Sequence, residues 1–176
     1  MNLTFGTATN ADAAELAALH RAVAERLTRD FGRGRWSCAP TGRGVLNSLR
    51  RPAFERVMTV RIADRIVATL RLATKKPWAI DVAYFTPAAR PLYLTGMAAH
   101  PDFQRKGVGR LLLEEAQAVV RAWPADAIRL DAFDADAGAG PFYAKCGFRA
   151  VARVIYKQAP LVYFELTLPP IKIGRT

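Results

Sequence analysis

The stretch MAAHPDFQRKGVGRLLL, Met97 to Leu113, decides how this chain is read. Its first residues end a strand, His100-Pro101 breaks it, and Val108, Leu111 and Leu112 open a helical stripe. Between them runs Gln104-Arg105-Lys106-Gly107-Val108-Gly109. Amides at a helix N-terminus lack intrahelical acceptors and sit at the positive end of the macrodipole, and glycines let backbone close around an anion. Arg105, Lys106 and Arg110 add full charge at the same place, so the segment suits a phosphate. A dinucleotide fingerprint would need a third glycine where Leu112 stands, which removes Asp131 as its downstream acid. A Walker A loop would need Gly-Lys-Ser/Thr, which is absent. Taken alone, two glycines before a helix favour a basic surface turn over a phosphate site by roughly two to one.

Outward from this stretch the periodicities alternate. Gly107 to Trp123 is helical, with Val108, Leu111, Leu112, Ala116, Val119 and Val120 on one face and Pro124 as its stop. Ile128 to Phe133 reads as a strand, Gly140 to Lys145 as a short helix ending at Gly147, and Val151 to Tyr156 and Leu161 to Leu168 as strands around a Gln158-Ala159-Pro160 turn. Upstream, Leu92 to Ala98 is a strand in which Gly96 predicts a bulge or a close backbone approach. The eighteen residues from Thr74 to Pro91 contain Trp78, Ile80, Tyr84 and Phe85, too apolar for a linker, and predict a packed lid with a helical turn. Val57 to Ala63 and Ile66 to Ala73 form a hairpin, Phe31 to Pro52 a loop with a short helix at Val45 to Leu49, and Ala13 to Arg29 an amphipathic helix behind the capping pair Asp12 and Glu15. Leu3 to Ala8 is the first strand. The order predicts an α/β protein: a mixed sheet flanked by helices.

Two spaced motifs in this order resemble the GNAT N-acetyltransferase superfamily. One is Gln104 to Gly109 between a central strand and a helix; the other is Leu130-Asp131 on a strand followed by Phe142-Tyr143-Ala144-Lys145-Cys146-Gly147-Phe148. The resemblance covers Val57 to Leu168 and implies a splayed central mixed sheet that takes acetyl-CoA. By position, backbone groups of Met97, Ala98 and Ala99 would hold the pantetheine arm. Gln104, Arg105, Lys106, Gly107, Val108, Gly109 and Arg110 would hold the pyrophosphate. Tyr143 would be the general acid for the departing thiolate, and Asp136 stands where relatives carry an asparagine that contacts the cofactor, with capping of the short helix as its other reading. The reaction implied is direct transfer of the acetyl group to a primary amine, without a covalent enzyme intermediate. Many relatives place a glutamate on the strand before the loop, but Leu92 to Ala99 contains no acid. Asp81, Glu55 or a water chain is the expected base, Asp81 first, because Trp78, Tyr84 and Phe85 around it suggest an acceptor wall.

Composition sets the remaining bounds. With 176 residues and 19.3 kDa the chain predicts one domain, 1–176. It is 51% hydrophobic with a mean hydropathy of +0.03, enough for a core. The net charge is +11 and the pI about 10.4, and Arg26 to Arg56 alone holds eight basic residues against two acidic ones. That surplus implies an anionic partner. No nucleic-acid motif accompanies it, so nucleic acid ranks below a small-molecule or peptide amine acceptor, and acetylation of an RNA-linked amine or a noncatalytic acyl-CoA sensor are the alternatives. Met1 to Asn10 lacks the basic start and apolar stretch of a secretory signal, and no apolar run spans a bilayer, so a cytoplasmic protein without membrane partners is expected. Cys38 and Cys146, with His20 and His100, have no ligand spacing, and no metal is expected. Relatives often form homodimers; Leu161, Tyr163 and Phe164 suit an interface as well as a core.

Overall fold

The computed structural model describes residues 2–168. Seven strands hydrogen-bond in the order β1-β2-β3-β4-β5-β7-β6, an open mixed sheet flanked by helices. The contacts of the backbone gather into two compact units, 1–73 with 95–115 and 74–94 with 116–176, so that β4 (Pro91–Ala99) and α3 (Val108–Ala122) each contribute to both.

In the first unit, β1 (Leu3–Thr7), β2 (Glu55–Ile62) and β3 (Arg65–Ala73) form an antiparallel meander. Ala63, with φ of +50°, makes the tight β2–β3 turn, and a bulge between Val60 and Arg61 shifts the register just before it. The helix α1 (Ala13–Phe31) buries Leu16, Ala17 and Leu19 with Val57, Ile66 and Ala98, and its start is pinned where Glu15 accepts from the Ile66 amide at 2.6 Å. The second helix, α2 (Gly42–Leu49), starts three residues earlier than its apolar residues suggest, because the Thr41 hydroxyl caps the Gly44 amide.

In the second unit, β4 pairs in parallel with β5 (Ala127–Phe133) only over Pro91, Leu92 and Tyr93. Antiparallel pairing joins β5 to β7 (Ala159–Thr167) and β7 to β6 (Arg149–Tyr156). The β6–β7 turn is Lys157-Gln158, both at positive φ, so Ala159 and Pro160 belong to β7 rather than to the turn. Ile80, Phe85, Tyr93 and Tyr163 form one buried cluster. Leu161, Tyr163 and Phe164 are all under 5% exposed, which makes them core of this chain rather than an interface. The connection 74–90 is held by Asp126, which accepts from the Ala89 and Arg90 amides, and it contains one 3₁₀ turn, Val82–Tyr84.

Candidate active site

The site begins where β4 ends. His100 accepts from the Asp102 amide and caps a 3₁₀ turn, Pro101–Phe103, as a turn residue would. The Gln104 side-chain amide turns back and donates to the Ala99 carbonyl at 3.1 Å, which ties the loop to the strand. Arg105 and Gly107 both lie at positive φ, +59° and +80°. Gly107 accepts the first helical bond, from the Leu111 amide at 3.0 Å, so the amides of Val108, Gly109 and Arg110 precede the first intrahelical donor. A side chain at Gly107 would be strained by that φ, and the space beside it is open.

Burial orients the loop. Val108, Leu112 and Leu113 are at most 1% exposed and anchor the first turns of α3, whereas residues 104–107 and Arg110 are exposed. Arg105 and Lys106 have no acidic partner among the described residues, and Arg110 shares its charge with Glu114 at 3.3 Å. Lys106 also lies over the Phe103 ring, 5.4 Å from its centroid. Three amide donors, an open glycine and two cations without an acidic partner among the described residues fit a pyrophosphate at this helix start. Met97 and Ala99 on the preceding strand are half-buried, and Ala98 is core.

The second unit holds the tyrosine. Tyr143 sits on α4 (Gly140–Lys145), 6% exposed, with the rings of Phe142, Phe148 and Phe164 at centroid distances of 5.3, 5.7 and 5.9 Å. Burial, then the charges of Asp131 and Cys146, push its hydroxyl well above the ordinary phenol range. The phenol therefore holds its proton at neutral pH. Burial likewise raises the Asp131 carboxyl, although a backbone hydrogen bond opposes the shift. Asp136 is exposed and does not cap α4; Ala139 occupies the cap position without a side-chain bond.

The expected acceptor wall is corrected by burial. Trp78 is 86% and Tyr84 52% exposed, while Phe85 is 7% exposed and stacks on Tyr163 at 5.4 Å. These three side chains do not line one surface, because Phe85 serves the core. The Asp81 carboxylate accepts from the Ala83 amide and caps the 3₁₀ turn, and its own amide is held by the Tyr163 hydroxyl. Glu55 is ion-paired to Arg71 at 3.3 Å and lines a cavity of about 290 Å³ with Ser48 and Arg56. Both acids named from the sequence are thus engaged. Among the described residues no group of acids, histidines or cysteines could hold a metal, and no helix is long and apolar enough to cross a membrane.

The family described as "Acetyltransferase (GNAT) family" matches residues 20–148. The chain belongs to that acetyltransferase family. Its fold is that of the PaiA N-acetyltransferase of Thermoplasma acidophilum in complex with coenzyme A, at a TM-score of 0.73 and 14% identity, over 96% of this chain and 100% of that one. It is similar also to the ribosomal-protein-S18-alanine N-acetyltransferase of Escherichia coli, at 0.72 and 13%, over 99% of both chains. A putative acetyltransferase of Salmonella typhimurium, YncA, solved with its cofactor acetyl-CoA, scores 0.70 at 16% identity over 95% of this chain and 94% of that one. No curated protein sequence matches the chain. Acetyl-CoA, implied by the loop motif, is the cofactor that accords with the GNAT family and with these bound neighbours.

Proposed function

We propose that the chain is a single-domain, acetyl-CoA-dependent N-acetyltransferase acting on a primary amine. The observation that carries this reading is the β4–α3 loop, with three N-terminal amides and with Arg105 and Lys106, which have no acidic partner among the described residues, in a chain of the GNAT family. When bound, acetyl-CoA supplies an activated acetyl thioester. The residues do the rest. Val108, Gly109 and Arg110 offer backbone N–H groups to the pyrophosphate, and Arg105, Lys106 and Arg110 neutralise it. Met97 to Ala99 offer main chain to the pantetheine arm. Tyr143 holds at Oη the proton that the departing sulfur needs, and burial keeps that phenol protonated at neutral pH. Holding donor and acceptor together removes an entropic barrier of up to about 7–11 kcal/mol. Trp78, Asp81 and Tyr84, which stay exposed, are retained as acceptor contacts, and one oxygen of the Asp81 carboxylate is occupied by the Ala83 amide. Cys38 and Cys146 form no disulfide, which accords with a cytoplasmic location.

Tyr143→Phe separates catalysis from mere binding of the cofactor. Thiol release from acetyl-CoA with a panel of amines should fall about 10²-fold or more, with CoA affinity by calorimetry unchanged. An unchanged rate would remove Tyr143 from the reaction; tight acetyl-CoA binding by the wild type without turnover of any amine would make the chain a sensor.

A further inference from the structure

Leu16, His20 and Ala24 stand four residues apart on α1, along the stripe that faces the core. Leu16 and Ala24 are buried, and His20 between them is half-buried. An imidazole at such a position is costly unless its polar atoms are used, yet neither ring nitrogen has a hydrogen-bond partner among the described residues. The ring meets β4. Its Cε1 lies 3.8 Å from the place a Cβ on Gly96 would occupy, and Gly96 is exposed with φ of +58°. The pairing of β4 with β5 has already stopped at Tyr93, short of Gly96.

Polar side chains from three further elements converge at this step of the strand. Arg71 Nε on β3 donates to Thr95 Oγ1 at 2.8 Å, and its Nη1 reaches Ser48 Oγ on α2 at 3.4 Å and Glu55 Oε2 on β2 at 3.3 Å. The ionisable groups on elements packed against α1 are Asp12 in the turn before it, Arg35 in the turn after it, Arg43 on α2, Arg65 and Arg71 on β3, and Asp102 in the turn after β4. Of these, Arg71 is the one whose charge acts on the ring; burial first and Arg71 second lower the His20 pKa. The ring is therefore neutral at neutral pH and able to accept a proton, whereas Glu55 is held by Arg71 and Asp81 by its turn.

We propose that His20 is the base that takes the proton of the acceptor amine, at the Thr95–Gly96 step of β4. This rests on the N-acetyltransferase reading above. The amine nitrogen bonds to the acetyl carbonyl carbon and loses one proton to a ring nitrogen of His20. The C–S bond breaks and the sulfur leaves with the proton held at Tyr143. His20 then releases its proton to solvent and Tyr143 recovers one, so amine and thioester become amide and thiol with nothing left over.

With two histidines in the chain, a His20→Gln variant assigns the His20 ring in an NMR titration. Its midpoint is expected below the ordinary value of 6.5, to rise in Arg71→Met, and its resonances to shift on adding acetyl-CoA. In His20→Gln, thiol release with the amine panel should fall about 10²-fold or more and the acid limb of the kcat/KM profile should disappear. Free imidazole should partly rescue His20→Gly, and CoA affinity by calorimetry should be unchanged in both variants. A wild-type rate and acid limb in His20→Gln, with acetyl-CoA bound and consumed, would overturn the role of His20 alone. A wild-type protein that binds acetyl-CoA and releases thiol with no amine would overturn the underlying reading and this one with it.

Discussion

Tyr143 and Asp131 show how burial sets protonation in the second unit. The phenol is pushed up and stays neutral; the carboxyl is pushed up and resists ionising. For Asp131 the folded pKa lies above the unfolded one, so its contribution to stability is full below the ordinary carboxyl range and is lost as pH rises through the folded value. At neutral pH the carboxylate is a burden on the fold. Asp131→Asn should therefore raise the melting temperature at pH 7, and the gain should vanish in strongly acid solution, as read by thermal unfolding at both pH values. A lower melting temperature at pH 7 would show that the carboxylate holds a partner that matters more than its desolvation. His20 was legible in the sequence only as an anomaly: a polar residue four positions after Leu16 and four before Ala24, where the helical stripe calls for an apolar one. What makes it interesting, the contact with Gly96, joins residues 76 positions apart and could not be read from spacing.

At the scale of elements, β7 carries a concentrated risk. Glu165 and Arg129, 2% and 4% exposed, face each other across β5 and β7 with Nε and Oε1 3.5 Å apart. Neither of those atoms has a hydrogen bond. Arg129 is otherwise held by the Thr86 carbonyl and the Phe85 ring, and Glu165 by Arg149. Glu165→Ala would leave a buried guanidinium uncompensated, and a loss of about 3–5 kcal/mol is expected in denaturant unfolding; a loss below about 1 kcal/mol would mean that water reaches Arg129. Other elements differ in how far their sequences announce them. The apolar stripe and Pro124 mark α3 almost to the residue, because period and stop agree. The start of α2 was hidden, since Gly42-Arg43-Gly44 is a poor helix sequence made helical by the Thr41 cap. The start of β7 was hidden by Pro160, which sits in a strand because the positive-φ pair Lys157-Gln158 makes the turn before it. The connection 74–90 could be recognised as packed, but which aromatics turn inward depends on Tyr163, far along the chain.

Across the whole molecule the charge of +11 divides into a part with a use and a part without an assigned one. Arg105, Lys106 and Arg110 stand at the helix start, where an anion gains from amides, dipole and charge together. Replacing both Arg105 and Lys106 by Ala should weaken CoA about 10-fold or more, given that hydrogen bonds to charged groups contribute roughly 1.5–3 kcal/mol. The double variant should also lose most of the salt dependence of that affinity, because the Debye length shrinks from about 30 Å at 0.01 M to about 10 Å at 0.1 M. Equal CoA affinity and equal salt dependence in calorimetry would move the phosphates elsewhere. Between Arg26 and Arg56, Arg26 pairs with Asp30, and Arg51 pairs with Glu55, which Arg71 on β3 shares. Acetyl transfer to amines is tested by incubating the wild-type protein with acetyl-CoA and an amine and peptide panel, following free thiol and the acetylated product by mass. Thiol and N-acetylated product are expected in equal amounts from at least one amine; acetyl-CoA bound yet left intact across the panel would show that the chain does not acetylate amines.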